Sequence, residues 1–145
     1  MSDASEEIKK LAEKYELPED FIEDIKRDSK INDLDLRNEC RSVVNRNQRY
    51  IEEYYKMKRK YIRMQTHVKK VEGELFDKYK NHFEIKFTSS NDVMKFVWKD
   101  KRYQKAFNIC SDLECIVDYL DRTIKNLNNN AWLVQKLVDL EKINQ

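Results

Sequence analysis

The residues best suited to chemistry in this sequence form a row of basic side chains with aromatic neighbours. Between Tyr54 and Val71 there are seven lysine or arginine residues and no acidic residue. Four basic residues recur at intervals of seven, which places them in a nearly straight row along a helix. Such a row can follow the phosphate backbone of a nucleic acid, because each contact releases counterions. The row consists of Arg49, Lys56, Arg63 and Lys70.

Aromatic residues accompany the row, and Tyr55 lies off the apolar seam of the same helix. Exposed rings beside cations favour single-stranded nucleic acid, whose unpaired bases can stack on them. The alternative interpretation is a solvated basic flank that pairs with acidic flanks of neighbouring subunits. The predicted DNA-binding residues are Arg49, Lys56, Arg59, Lys60, Arg63 and Lys70 for phosphates, and Tyr55 for stacking.

A second segment, residues 98–105, has the same basic and aromatic composition. Its Tyr103 falls on an apolar seam and is expected in the core, whereas the pattern leaves the role of Trp98 undecided.

The sequence offers no pattern for catalysis, for a metal or for a cofactor. With a single glycine it has neither a phosphate-binding loop nor a dinucleotide fingerprint. His67 and His82 are not spaced with cysteines or carboxylates as zinc ligands, and no Glu-x-x-His pair marks a di-iron site. We therefore predict that the protein is not an enzyme. A small enzyme hidden in a helical bundle is an alternative that the sequence supports less than a DNA-binding protein or a coiled-coil scaffold.

Two long apolar seams indicate the elements that carry the basic row. In each seam apolar residues recur every three and four positions, which predicts an all-α fold dominated by two very long helices. The first seam consists of Leu36, Cys40, Val43, Asn47, Tyr50, Tyr54, Met57, Tyr61, Met64, Val68, Val71, Leu75 and Lys78, with only Asn47 and Lys78 polar. The second consists of Tyr103, Ala106, Cys110, Leu113, Val117, Leu120, Ile124, Leu127, Ala131, Val134 and Val138. The helices are expected to form an extended hairpin or coiled-coil-like bundle. The first should run from a cap at Asn32 or Asp33 to about Lys80, and the second from a cap at Asp100 to about Ile143.

Shorter elements are predicted around these helices. The N-terminal region should hold one short helix from Ser5 to Tyr15 and a second that begins at Pro18. Residues 82–88 alternate between apolar and polar side chains and predict a short strand. The segment Ser89 to Asp92 offers caps for another short helix.

Charge is distributed unevenly, although the net value is only +2. Residues 1–35 carry a net charge of −6, residues 36–105 one of +10, and residues 106–145 one of −2. We predict an acidic N-terminal helical segment, residues 1–31, and a DNA-binding and oligomerisation domain, residues 32–145.

No apolar run approaches the length of a membrane span and no signal peptide is evident, so a cytoplasmic protein without a membrane partner is expected.

The apolar seams are wider than a two-stranded coil requires. A hairpin of two helices would leave part of this surface exposed, which is typical of association. We therefore expect a homo-oligomer. The flanking apolar residues include Val44, Ile51, Ile62, Phe76, Phe107, Ile109, Ile116, Leu137 and Leu140.

Several short segments support a family resemblance: Leu75-Phe76-Asp77-Lys78-Tyr79, Lys99-Asp100-Lys101, Ile116-Val117-Asp118-Tyr119-Leu120, Ala131-Trp132-Leu133-Val134 and Asp139-Leu140. In their order and spacing, and in its long helices, the chain from about Leu34 to Leu140 resembles the UvsY family of phage recombination mediators. Glu72-Gly73-Glu74 stands where that family tends to place basic residues, so DNA contacts are not transferred to this cluster.

The resemblance implies a ring-like homo-oligomer that wraps single-stranded DNA. Such a protein would loosen a single-strand-binding protein and help load a RecA-like recombinase in homologous recombination, repair and recombination-dependent replication. The main alternative is a coiled-coil scaffold or helical chaperone without DNA binding, in which the charged flanks only set subunit pairing.

Overall fold

The computed structural model describes residues 2–30, 36–82 and 89–144. Every regular element in these ranges is an α-helix, which confirms the all-α prediction and the two long helices. The predicted strand at 82–88 and the predicted caps Asn32 and Asp33 lie outside the described residues, apart from His82. The helices are α1 (Ser2–Lys14), α2 (Phe21–Asp28), α3 (Leu36–Asn81), α4 (Ser90–Lys99) and α5 (Lys101–Ile143).

The helix ends agree with the capping chemistry at two of three predicted positions. The Ser89 side chain accepts a hydrogen bond from the Asp92 N–H at 3.3 Å, and Asp100 Oδ1 accepts one from the Arg102 N–H at 2.8 Å. The prediction for Pro18 is wrong, because α2 begins three residues later at Phe21. The Pro18 carbonyl accepts from the Phe21 N–H at 3.1 Å, so the proline opens a turn instead.

The chain divides into two compact units, and α3 and α5 contribute to both. The first unit contains the described residues of 1–57 and 115–145, and the second contains those of 58–114.

The core of the first unit joins α2 to the early part of α3. Tyr50 is fully buried, and the edge of the Phe21 ring meets its ring at a centroid distance of 5.4 Å. Asn47, which interrupts the apolar seam, donates a hydrogen bond from Nδ2 to Asn128 Oδ1 on α5 at 2.6 Å. Asn130 Nδ2 donates to the carbonyl of Ser29 at 2.8 Å. The asparagine-rich turn of α5 therefore stays helical and supplies contacts, despite its low helix propensity.

The core of the second unit is a cluster of four valine and leucine side chains from α3 and α4. Tyr103 of α5 is half-buried and packs against this cluster, as its place on the seam predicts. The cluster consists of Val71, Leu75, Val93 and Val97.

Candidate nucleic-acid interface

The basic residues of α3 lie in two unlike environments. At its N-terminal end, Arg46 and Arg49 bind acidic residues of the first unit. Arg46 Nη1 donates to Glu39 Oε1 at 2.6 Å, and Glu39 is only 3% exposed. Arg49 Nη1 donates to Asp24 Oδ2 of α2 at 2.9 Å, and its guanidinium lies 5.6 Å from the Phe21 ring centroid. To bind a phosphate, Arg49 would first have to release Asp24.

The acidic side of α2 engages Arg49 directly and also lies near Arg46, whose Nε is 3.9 Å from Asp28 Oδ1. Asp24 and Asp28 both point towards α3, and Asp28 Oδ2 accepts a hydrogen bond from the Tyr50 hydroxyl at 2.6 Å. Burial raises the pKa of Tyr50, and this hydrogen bond to a carboxylate raises it further. Part of the acidic N-terminal region is therefore committed to the interior contacts of the first unit.

Further along α3, four basic side chains are exposed. Among the described residues, no ion pair or hydrogen bond engages the side chains of Arg59, Lys60, Arg63 or Lys70. All four belong to the second unit. At about 1.5 Å of rise per residue they extend over roughly 16 Å of helix. An arrangement of free cations with this spacing can bind successive phosphates of one strand.

The two remaining predicted site residues lie at the end of the first unit. Lys56 Nζ lies 3.3 Å from Glu53 Oε1, an exposed pair that exchanges readily with solvent. Tyr55 is 59% exposed, and its ring meets that of Tyr54 edge-on at 5.4 Å. Its outer surface is open to a stacking partner.

Exposed aromatic rings also lie on α4 and α5 of the second unit. Trp98, undecided from sequence, is 51% exposed, and Phe107 is 50% exposed. The Phe107 ring stacks on that of Tyr103, with a centroid distance of 5.9 Å and an interplanar angle of 22°. The sequence predicts Phe107 on the flank of the second seam. Spacing alone could not show that this flank remains half exposed in the structure.

The second unit also brings together two of the segments that carry the family resemblance. The Tyr79 hydroxyl donates to Asp100 Oδ2 at 2.7 Å, which fastens the last turns of α3 to the start of α5. This bond lowers the pKa of the Asp100 carboxyl and raises that of the Tyr79 hydroxyl. The bond therefore fixes the position of Asp100, and Lys99 and Lys101 on either side of it are exposed.

A different surface occupies the C-terminal part of α5. Large apolar side chains are exposed there over three turns, a pattern typical of an association surface. We call it the aliphatic face, and it comprises Leu133, Leu137, Leu140 and Ile143, with Trp132 beside them.

Within the described ranges the molecule shows neither a metal-ligand cluster nor a membrane-spanning helix. No group of three or more histidine, cysteine or acidic side chains there could hold a metal ion. None of the helices described combines the length and apolar character of a membrane span.

Comparison with solved structures identifies the fold. The chain is similar to three crystal structures of the bacteriophage T4 recombination mediator protein UvsY, in lattice types IV, II and I. The TM-scores are 0.74, 0.75 and 0.72, at sequence identities of 15%, 15% and 14%. The matches cover 88%, 87% and 88% of this chain, and 98%, 96% and 100% of the UvsY chains. No protein-family profile and no curated protein sequence matches the chain. The likeness is therefore one of fold.

Proposed function

We propose that this protein is a non-enzymatic recombination mediator that binds single-stranded DNA. The observation that carries this proposal is the set of four exposed, unpaired cations on α3, present on a fold like that of a recombination mediator. In this proposal Arg59, Lys60, Arg63 and Lys70 contact phosphates. Arg49, Lys56 and Tyr55 remain predicted contacts that depend on how far the strand continues along α3.

The proposed preference for a single strand follows from the exposed aromatic residues. Duplex DNA offers its phosphates to a basic row but keeps its bases stacked inside. A single strand offers both, and each base that stacks on an aromatic ring contributes about 1–3 kcal/mol. Tyr55 supplies one exposed ring beside the row.

We further propose that the protein acts as a homo-oligomer assembled through the aliphatic face. Four cations per subunit make a weak site, and several such sites on one strand gain affinity through their high effective concentration. Wrapping by an oligomer would present the strand to a RecA-like recombinase while loosening a single-strand-binding protein.

The first experiment is a titration of fluorescent oligonucleotides followed by anisotropy at several salt concentrations. We expect tighter binding to a single strand than to a duplex of equal length. The logarithm of the binding constant should fall with the logarithm of salt concentration with a slope of about −3, as expected for four neutralised phosphates. Absence of binding at low salt would contradict the proposal.

A second experiment tests the mediator activity itself. DNA coated with a single-strand-binding protein should accept a RecA-like recombinase faster when the protein is added, as measured by DNA-dependent ATP hydrolysis of the recombinase. Binding to DNA without this acceleration would leave a DNA-binding protein that is not a mediator.

The exposed aliphatic face also favours a second candidate function, a helical scaffold in which assembly is the whole activity. If the protein is a scaffold, ultracentrifugation should show the same oligomer, but the protein should have no DNA affinity at physiological salt. The anisotropy titration therefore distinguishes the scaffold from the mediator.

A further inference from the structure

We infer that Trp98 and Phe107 form a second nucleic-acid subsite in which unpaired bases stack, away from the phosphate-binding row of α3. This inference rests on the proposed function and adds to it the part of the DNA that this surface binds. The subsite lies wholly within the second unit, on the end of α4 and the first turns of α5.

The geometry is that of a shallow pocket with aromatic walls. Its volume is about 440 Å³, which is within the range of small-molecule sites and large enough for a base. Phe107 is held in place by its stacking on Tyr103, which packs on the buried core of the unit. One face of the Phe107 ring therefore contacts Tyr103, and the exposed part of the ring is available to a ligand. The lining residues are Trp98, Tyr103, Gln104, Phe107 and Asn108.

The polar residues of the pocket suit the edge of a base. Gln104 Nε2 donates to the Trp98 carbonyl at 3.4 Å, which leaves its Oε1 as an acceptor. Within the part of the chain that the structure describes, the Asn108 side chain has no hydrogen-bond partner. Amide groups both donate and accept, so they can serve any of the four bases without strong selection.

Two lysines lie beside the pocket on the exposed surface of α5. Burial raises the pKa of the Tyr103 hydroxyl, and one acid, Glu72, lies near enough to raise it further. Lys101 lies three residues before Gln104 on α5 and Lys105 lies three residues before Asn108, so each lysine is a surface neighbour of one of these amides. The nearest acid in sequence, Asp100, is occupied by the Tyr79 hydroxyl and the Arg102 N–H. A ligand that combines flat rings with negative charge fits this surface, and single-stranded nucleic acid has both.

A groove connects the pocket with the phosphate-binding row. Phe107 also lines a surface groove together with Ile62, Thr66 and Lys69 of α3. The acids Glu72 and Glu114 line it too, beyond Lys69 and Phe107 in sequence, so the open approach to Phe107 is by way of Thr66. Thr66 lies three residues after Arg63 and four before Lys70, so it is a neighbour of both on the helix surface. A strand whose phosphates lie along α3 can therefore turn bases across Thr66 towards Phe107.

The test compares two strands that carry the same phosphates. One is a deoxythymidine oligomer, and the other is a fully abasic oligomer of equal length, in which tetrahydrofuran replaces every nucleoside. Phosphate contacts are equal for the two, so the ratio of their affinities measures base stacking. In the wild-type protein the thymidine oligomer should bind at least about 25-fold more tightly, the combined effect of two weak stacks, one on Tyr55 and one in the subsite.

The variant Phe107→Leu keeps an apolar side chain but removes the aromatic face. It should lower the affinity ratio by about fivefold or more and leave the affinity for the abasic strand unchanged. The control variant Tyr55→Leu removes a ring from the first unit and should lower the ratio independently of Phe107→Leu. A Phe107→Leu ratio equal to that of the wild type would overturn the inference, and so would equal wild-type affinity for both strands.

Tryptophan fluorescence supplies a second readout. The chain has two tryptophans, so Trp132→Phe leaves Trp98 as the only one, and Trp98→Phe leaves Trp132. Saturating thymidine oligomer should quench Trp98 emission and leave that of Trp132 unchanged, whereas the abasic strand should quench neither. Burial of Trp98 on raising the protein concentration without DNA would show that a second copy covers the pocket, and would overturn the inference.

The two proposals fail in different ways. DNA binding by anisotropy with unchanged Trp98 emission overturns the stacking subsite and leaves the proposed function intact. Absence of any DNA binding by anisotropy contradicts the proposed function, and the stacking subsite with it.

Discussion

The basic residues in the early and middle parts of α3 are of the same types and have nearly the same spacing, but they differ in what surrounds them. Arg49 binds Asp24 of α2, and Arg46 binds Glu39 of α3 and the carbonyl oxygen of Asp28, so both arginines take part in the internal contacts of the first unit. Arg59 and Arg63 face no acidic partner among the described residues. The basic residues of α3 therefore have two roles, internal ion pairing and proposed DNA binding. The acidic residues packed nearby determine which arginines are paired.

The difference also has an energetic side. Glu39 is buried and depends on Arg46 for compensation of its charge, so this pair is costly to break. The side chains of Arg59, Lys60, Arg63 and Lys70 are exposed, so they should have little effect on folding. They keep their full electrostatic capacity for a ligand.

Arg46→Ala should have the largest effect on stability and little on DNA binding. It leaves the Glu39 carboxylate buried without its partner, so the free energy of unfolding should fall by about 3 kcal/mol in a urea titration. The double variant Glu39→Leu with Arg46→Met removes both charges and should recover most of that loss. An Arg46→Ala protein as stable as the wild type would show that this pair does not hold the first unit.

Two matched double variants separate the parts of the row by DNA affinity. Arg59→Gln with Lys60→Gln removes two unpaired charges, while Arg49→Gln with Lys56→Gln removes two that have acidic partners. The first should lower the affinity for a single strand more than about tenfold at 0.1 M salt and reduce the salt slope by about 1.4. The second should have a clearly smaller effect on both.

Because the two variants remove the same charge from the same helix, a difference in affinity cannot come from net charge. Equal losses would mean that Arg49 and Lys56 exchange their acidic partners for phosphates. The predicted contacts would then extend along α3 from Arg49 to Lys70.

Much of this arrangement could be predicted from sequence because it depends on local periodicity. The 3.6-residue period placed Tyr50, Met57, Val71 and Leu75 in the core, and all four are buried. The acidic partners of Arg49 could not be predicted, because Asp24 lies 25 residues earlier and meets it only through tertiary packing. The register of α2 on α3 decides this contact, and no local pattern encodes it.

The error at Pro18 has a similar origin. Proline is common in the first turn of a helix, and Glu19 and Asp20 would suit the positive end of the helix dipole. In the structure, Asp20 has a φ of 60°, in the left-handed region, so the helix cannot begin before it. The turn brings Phe21 onto Tyr50, and tertiary packing outweighs the local preference.

A smaller effect concerns the buried tyrosine beneath the paired arginines. Tyr50→Phe removes the hydrogen bond to Asp28 and should lower the free energy of unfolding by about 1.5 kcal/mol at pH 7. The folded-state pKa of Tyr50 is raised, so the stability that it contributes is fully present below about pH 10 and is lost as pH rises further. Thermal unfolding between pH 9 and 11 should therefore show a shallower decline for Tyr50→Phe than for the wild type. Parallel declines would assign the alkaline instability to other groups.

The smallest expected effect lies in the second unit, at the hydrogen bond between Tyr79 and Asp100. The bond is near the surface, so Tyr79→Phe should cost only about 0.5 kcal/mol at pH 7. It lowers the pKa of Asp100, so its contribution is present above the usual carboxyl pKa of about 3.9 and is lost as pH falls below that value. The stability difference between wild type and Tyr79→Phe should therefore vanish near pH 2.

The same variant should also affect the stacking subsite, because the bond positions the start of α5. In a Trp132→Phe background, Tyr79→Phe should weaken the quenching of Trp98 by thymidine oligomer and leave the affinity for the abasic strand unchanged. A change in abasic affinity would mean that the α3 cations and the start of α5 do not act separately.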